Sequence, residues 1–153
     1  MKDTIPANGP AEWLGHRFQT MLRAEESGGA MSIIETVSRP GSGPPRHIHH
    51  DADEVFVCLT GDLEFELEGE RFIAGPGRCV FVPRGEEHAF RVVSDVPSRH
   101  LVIFTPGGFE TFFEEMGAGG FRIPEDMAQV EQSAARHHLT FTGPPLADLE
   151  TGT

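Results

Sequence analysis

The sequence predicts an all-β barrel or sandwich with one or two short helices at its end. Segments with strand character recur along residues 13–107, and the clearest is Leu63–Leu67, where apolar residues alternate with glutamates. The chain has 18 glycines and 12 prolines, and they are spread between these segments, as tight turns between short strands require. The spacing of apolar residues becomes helical only later, at residues 109–116.

The predicted strands follow one another at short intervals. Trp13–Arg23 and Ala30–Ser38 are expected to be extended, and the second is rich in β-branched residues. Arg39–Pro45 is expected to be a rigid loop, because proline fixes φ and glycine permits tight bends. His47–Thr60 is predicted to be one strand or a pair of strands. Further strands are expected at Cys79–Val82, His88–Val92 and Arg99–Phe104.

The end of the chain has the pattern of amphipathic helices. Four apolar residues would share one face of a first helix: Phe109, Phe112, Phe113 and Met116. Gly117 is predicted to end that helix, and a second helix is expected to start at Pro124. We therefore predict a flexible leader over residues 1–12, a barrel over 13–107, and a helical extension and tail over 108–153 that packs on the barrel.

The charge balance argues against several classes of partner. Twelve Lys and Arg residues stand against 24 Asp and Glu residues, which gives a net charge of −12. An acidic surface repels phosphate backbones and anionic lipids, so we expect no nucleic-acid partner and no membrane association. The sequence has no apolar run long enough to span a bilayer and no secretion-type leader, so a cytoplasmic location is expected.

Four residues of the types that bind metals lie in two clusters. His47 and His49 would point to the same face of a strand, Glu54 follows five residues later, and His88 follows a Pro-Arg-Gly turn. Neutral imidazoles and one carboxylate suit a divalent transition metal, whether Fe, Mn, Ni, Co, Cu or Zn. The sequence therefore predicts one metal site with these four residues as ligands.

The same residues carry a resemblance to the cupin superfamily. The first cupin motif, G-x5-H-x-H-x4-E-x6-G, is matched by Gly41, His47, His49, Glu54 and Gly61. The second motif, G-x5-P-x-G-x2-H-x3-N, is matched by Gly77, Pro83, Gly85 and His88, and departs only where Val92 replaces the asparagine. Since that asparagine is not a ligand, the departure does not affect the predicted metal site.

The resemblance implies a double-stranded β-helix, a jelly-roll-like barrel that encloses the metal. The segment between the motifs, residues 62–76, would then form a single hairpin. More widely, the chain resembles bacterial quercetin-dioxygenase-like cupins, in which the glutamate of the first motif is a ligand and a base. The resemblance thus implies a dioxygenase that acts on a small phenolic or enolisable compound, with Glu54 as its catalytic residue.

Cupins also include non-redox enzymes and binding proteins, because a fold does not determine a function. The alternatives are a metal-dependent isomerase, lyase or cyclase that uses the metal as a Lewis acid, and a non-catalytic cupin that binds a small ligand. Metal identity and oxygen consumption would separate the redox from the non-redox hypothesis.

Three residues are candidates for the wall of a substrate pocket. Phe56 and Cys58 share strand parity with Glu54, and Phe90 shares parity with His88, so all three would face the interior. Plain core packing explains Phe56 and Phe90 equally well. His50 is interpreted as a surface residue or as one that lies just behind the ligands, because it points opposite to His49. The remaining histidines are interpreted as surface or structural residues: His16, His100, His137 and His138.

The N-terminal strand region contributes one further expectation, a homodimer. Five large apolar residues occur there, namely Trp13, Leu14, Phe18, Met21 and Leu22. Two-fold symmetry is the commonest arrangement of homo-oligomers, and an interface would bury part of this region.

Overall fold

The computed structural model describes residues 10–146, which form two facing β-sheets with two helices packed against them. Within that range the strands are β1 (Ala11–Trp13), β2 (His16–Leu22), β3 (Ser32–Ser38), β4 (Pro45–His49), β5 (Asp53–Thr60), β6 (Leu63–Leu67), β7 (Glu70–Ala74), β8 (Cys79–Val82), β9 (His88–Val92), β10 (Ser98–Thr105) and β11 (Leu139–Pro145). The prediction of an all-β fold of the double-stranded β-helix type is confirmed. The first nine residues of the predicted leader and residues 147–153 of the tail lie outside the described residues.

The strands alternate between the two sheets. One sheet has the order β1-β2-β3-β10-β5-β8, and the other has the order β11-β4-β9-β6-β7. Residues 47–60 are therefore a pair of strands, since β4 and β5 lie in different sheets. The segment between the two motifs forms the expected hairpin, in which Phe65 of β6 pairs with Phe72 of β7. Strand β11 closes one edge by pairing with β4, so the C-terminal region contributes a strand to the barrel.

The core lies between the inner faces of the two sheets. Alternate residues of β3, β5 and β10 are buried, in agreement with a period of two. Phe56 of β5 packs edge-on against Phe65 of β6 with ring centroids 5.0 Å apart, which joins the sheets directly. Burying an aromatic side chain of this size stabilises the fold by roughly 1.5–3 kcal/mol.

The two helices differ in their bounds from the sequence prediction. Helix α1 spans Glu110–Gly119 and α2 spans Met127–Arg136, so the first helix runs past Gly117 and the second begins three residues after Pro124. Gly117 is a packing residue, because a Cβ there would lie 2.8 Å from the Cβ of Ala11 in β1. The left-handed cap is Gly120, with φ of 59°. No helix in residues 10–146 is long and apolar enough to cross a membrane.

Helix α1 is anchored to the barrel by one buried carboxylate. Glu110 is 1% exposed, and its Oε1 accepts hydrogen bonds from the Ser32 hydroxyl at 2.5 Å and the Gly108 N–H at 3.0 Å. Its Oε2 accepts a third, from the Ala24 N–H at 2.8 Å. These bonds fix the start of α1 against the end of β2 and the start of β3, and therefore position the phenylalanines that α1 presents to the barrel interior.

Replacing Glu110 by alanine should lower the free energy of unfolding by about 2–4 kcal/mol, because one buried hydroxyl and two partly buried backbone N–H groups lose their acceptor. The matched control is Glu114→Ala on the same helix, which removes a partly exposed ion pair with Arg23 at 2.9 Å. This change should lower the free energy of unfolding by less than about 1 kcal/mol. Denaturant unfolding of both variants measures the difference. Equal losses would show that Glu110 is not the anchor described.

The N-terminal region that suggested a homodimer contributes largely to the core of the protomer itself. Trp13 packs edge-on against Phe112, and Phe18 stacks on Phe113 with ring centroids 4.0 Å apart. Met21 remains exposed, at 51%. The homodimer stays a prediction, and Met21 is the apolar residue of that region that the protomer leaves most available for an interface.

Candidate metal site and ligand cavity

The four predicted ligands lie together inside the barrel. His47 and His49 are on β4, Glu54 is on β5 and His88 is on β9, where it pairs directly with His47. One ligand atom from each residue lies within 4.8 Å of the others. All four residues are buried, with exposed fractions from 1% to 8%. Residues that are distant in sequence therefore present one imidazole or carboxylate each to a common point.

Backbone carbonyls set the orientation of two of the imidazoles. The Nδ1–H of His47 donates to the carbonyl oxygen of Pro45 at 2.7 Å, and the Nδ1–H of His88 donates to that of Glu86 at 3.1 Å. Since a carbonyl oxygen can only accept, each ring turns its Nε2 toward the cluster. This arrangement is typical of histidine ligands, whose second nitrogen is held by an outer partner.

Glu54 contacts two of the histidines. Its Oε1 lies 2.9 Å from Nε2 of His88 and 3.5 Å from Nε2 of His49. Burial acts to lower the pKa of His88, but the hydrogen bond and negative charge of Glu54 outweigh it and raise that pKa above the ordinary histidine value. Since metal ligands must be deprotonated, a cation that binds at the cluster competes with protonation of His88.

The other two imidazoles are neutral. Burial, followed by the neighbouring positive charge of His88, lowers the pKa of His47 to about 3. Burial also holds the pKa of His49 well below its ordinary value, with further contributions from the histidines around it. Neutral imidazole is the form that binds metals, so His47 and His49 require no proton loss at neutral pH.

The donor set fits a divalent transition metal. Three imidazoles and one carboxylate form a buried cluster of nitrogen and oxygen ligands, and such a set suits the metals from manganese to zinc. Two aromatic rings restrain His49, since those of Phe104 and Phe109 lie 5.1 and 4.5 Å from it. The neighbouring His50 points to the surface, where its Nε2 lies 2.8 Å from the Thr140 hydroxyl, as its opposite strand parity predicted.

A narrow aromatic cavity of about 60 Å³ extends from the cluster into the barrel. Phe56 and Phe90 line it, whereas Cys58 does not, although it is buried and belongs to an inward-facing row. Helix α1 supplies Phe112 and Phe113 to the same cavity, and its N-cap residue supplies Phe109.

Three polar cavity residues were missed by the sequence analysis, which interpreted the histidines among them as surface or structural residues. His16 of β2, Thr36 of β3 and His100 of β10 line the cavity and are almost fully buried. Strand parity was the available signal, because His100 shares it with the apolar residues Val102 and Phe104. From a single sequence, the polar character of these residues was given more weight than strand parity, and their place in the cavity was not predicted.

Comparison with known proteins agrees with this architecture. The family model described as "Cupin domain" matches residues 35–104, a stretch that includes all four cluster residues. KdgF from Halomonas sp. superposes with a TM-score of 0.61 over 68% of this chain and 93% of that one, at 18% sequence identity. The domain match at residues 35–104 and the shared fold together support a cupin superfamily protein.

Two curated relatives are similar over part of the sequence. The quercetin 2,3-dioxygenase of Bacillus subtilis (strain 168) is 31% identical over 88 residues, which cover 58% of this chain and 26% of that protein. The polyketide synthase CurC of Streptomyces cyaneus is 27% identical over 93 residues, which cover 60% of each chain. The chain thus spans about a quarter of the first relative and 60% of the second.

Proposed function

We propose that this protein is a metal-dependent dioxygenase that acts on a small phenolic or enolisable compound, with Glu54 as its base. The observation that carries the proposal is the double position of Glu54, which belongs to the candidate metal cluster and also lines the aromatic cavity. A carboxylate in that position can contact both a bound metal and the acidic hydrogen of a substrate. The partial similarity to a quercetin 2,3-dioxygenase supports the same chemistry.

The four cluster residues, His47, His49, Glu54 and His88, would hold one divalent transition metal. When bound, such a metal would supply Lewis acidity and, if it is Fe, Mn, Ni, Co or Cu, reactivity toward dioxygen. The side chains supply the rest of the chemistry. Glu54 would take the proton from an enol or phenol hydroxyl and hold it on a carboxylate oxygen, which makes the substrate electron-rich.

The cavity wall would orient the substrate and exclude water. Phe56 and Phe90 lie with ring centroids 5.5 Å apart and form an apolar wall suited to a flat compound. The volume of about 60 Å³ is smaller than the roughly 150 Å³ of a cavity that holds benzene. A compound of one ring would therefore require some of the lining side chains to shift outward, and larger compounds are disfavoured.

A second candidate is a non-redox isomerase, lyase or cyclase in which the same metal acts only as a Lewis acid. The similarity to the polyketide synthase CurC favours it, since that relative matches over an equal share of both chains. A third is a non-catalytic cupin that binds a small ligand in the same cavity.

Oxygen uptake tests the proposal against these alternatives. The protein would be loaded separately with each of the six metals and assayed with small 1,3-diketones and phenols. We expect one dioxygen consumed per substrate molecule with at least one redox-active metal, and none with Zn. Turnover without oxygen uptake that Zn supports equally would favour the Lewis-acid enzyme. Tight binding without turnover by any form would favour the binding protein.

A further inference from the structure

The cavity has a second polar end that the metal cluster does not explain. His16, Thr36 and His100 line it and are 5%, 1% and 1% exposed. Three of their side-chain atoms have no hydrogen-bond partner among residues 10–146, namely Nε2 of His16, Oγ1 of Thr36 and Nε2 of His100. Buried polar atoms are normally paired, so three such atoms beside one cavity require an explanation.

The three residues form a compact group on the six-stranded sheet. Thr36 of β3 lies directly opposite His100 of β10. His16 of β2 lies opposite Ser38 of β3, which is the next inward-facing residue after Thr36. The group is thus built by three adjacent strands, and its side chains converge on the same part of the cavity.

This group lies at the opposite end of the cavity from Glu54. Glu54 pairs with Phe104 of β10, and His100 precedes Phe104 by four residues, which is about 13 Å along a strand. Phe56 and Phe90 occupy the space between, with ring centroids 5.8 and 5.4 Å from His100. The cavity therefore has a polar end at the metal cluster, an aromatic middle and a second polar end.

Serine hydroxyls orient both histidines but use only one nitrogen of each ring. Nδ1 of His16 lies 2.6 Å from the Ser38 hydroxyl, and Nδ1 of His100 lies 3.3 Å from the Ser98 hydroxyl. These contacts give Nδ1 a structural role in each ring and leave Nε2 without a hydrogen-bond partner among residues 10–146. A purely structural explanation accounts for Nδ1 and leaves Nε2 unexplained.

The second polar end is uncharged. Burial lowers the pKa of His16 to about 4, and burial together with His16 lowers the pKa of His100 to about 3. Neutral imidazoles and a hydroxyl can donate or accept hydrogen bonds but cannot neutralise a buried ion. The group therefore suits a hydroxyl or carbonyl group and disfavours a carboxylate or phosphate.

We propose that His16, Thr36 and His100 form a polar subsite that binds an uncharged hydroxyl or carbonyl group at the end of the ligand remote from Glu54. This inference rests on the proposed function in that the ligand is the compound held in the same cavity. It narrows the substrate class to small, largely apolar compounds that carry an uncharged hydroxyl or carbonyl group.

A pair of matched probes tests the subsite by calorimetry on the metal-free protein. Phenol and toluene have the same ring and differ only in that phenol carries a hydroxyl where toluene carries a methyl group. We expect the wild type to bind phenol about 5- to 10-fold more tightly, which is the worth of about one buried hydrogen bond. Thr36→Val, which keeps the shape of the side chain, and His100→Phe, which keeps a ring, should each reduce that ratio toward about one.

The exposed Thr60→Val is the matched control and should leave the ratio unchanged. Side-chain ¹⁵N signals of His16 and His100 provide a second measurement, since phenol should shift their Nε2 resonances and toluene should not. The inference is overturned if the wild type binds both probes equally, if it binds neither, or if both subsite variants keep the preference. Failure of the proposed dioxygenase activity would leave the ratio intact and would appear instead as absent oxygen uptake by the metal-loaded protein.

Discussion

Replacing His88 by alanine is expected to abolish metal loading. His88 is central to the cluster, because its Nε2 lies 2.9 Å from Glu54 and its ring centroid lies 4.3 Å from that of His47. The substitution removes one of four ligands and leaves space in its place. Loss of an outer partner of a ligand already lowers metal affinity about 10- to 100-fold, and loss of the ligand itself should cost more.

The matched control for this substitution is His50→Ala. His50 is exposed and lies next to His49, and its imidazole lies within hydrogen-bond distance of the Thr140 hydroxyl, so loss of this side chain should leave loading unchanged. Metal per chain would be measured by elemental analysis after loading and dialysis, and affinity by competition with a chelator. A folded His88→Ala variant that retains one tightly bound metal would show that this residue is not a ligand.

Replacing Glu54 by glutamine is expected to lower turnover by about 10²–10⁴-fold while the metal is retained more weakly. Glutamine keeps the size of the side chain and one oxygen that can contact a metal, but it cannot accept a substrate proton. The expected decrease is the usual contribution of a positioned general base. The weaker binding follows from the loss of one negative charge next to a divalent cation.

The same change at exposed Glu70, on the β6–β7 hairpin, is the control and should leave both properties unchanged. Turnover would be measured at saturating substrate with the compound identified by oxygen uptake, and metal content on the same samples. A Glu54→Gln variant with its metal and full activity would show that Glu54 is only a ligand. The Lewis-acid alternative would then become the better explanation, because it needs the charge of the metal but not the basicity of this carboxylate.

The four cluster residues could be predicted from the sequence because the patterns that reveal them lie in short segments of the chain. His47 and His49 share a face by strand parity, and the motif spacing places Glu54 and His88 at fixed distances from turns. The hairpin at residues 62–76 was predictable for the same reason. The structure adds what brings these segments together, which is the direct pairing of His47 with His88 in one sheet and the position of Glu54 in the other.

The second polar end of the cavity could not be predicted from local pattern. His16, Thr36 and His100 are far apart in sequence, and each alone resembles a surface residue. Their burial depends on the pairing of β2, β3 and β10, which no spacing rule specifies. The alternation of burial along β10 shows that parity carried part of the information.

The predicted helix boundaries were wrong for a different physical reason. A glycine such as Gly117 is typical of a helix end, but here a small residue is needed because β1 passes close to the helix. The residue that caps the helix in the left-handed conformation is Gly120. A glycine in a single sequence does not reveal whether it serves conformation or close packing. Trp13 and Phe18 were ambiguous in the same way, since an apolar strand can face a partner or its own helix.

The most direct test of the central claim is to locate the metal in the protein itself. Crystals of the wild type, purified without chelator, would be measured by anomalous scattering at the absorption edges of the six candidate metals. The account predicts one peak per chain among His47, His49, Glu54 and His88, with imidazole nitrogens at roughly 2.0–2.2 Å from it. Metal-supplemented crystals with no peak at this cluster, or with peaks only at surface histidines such as His138, would contradict it.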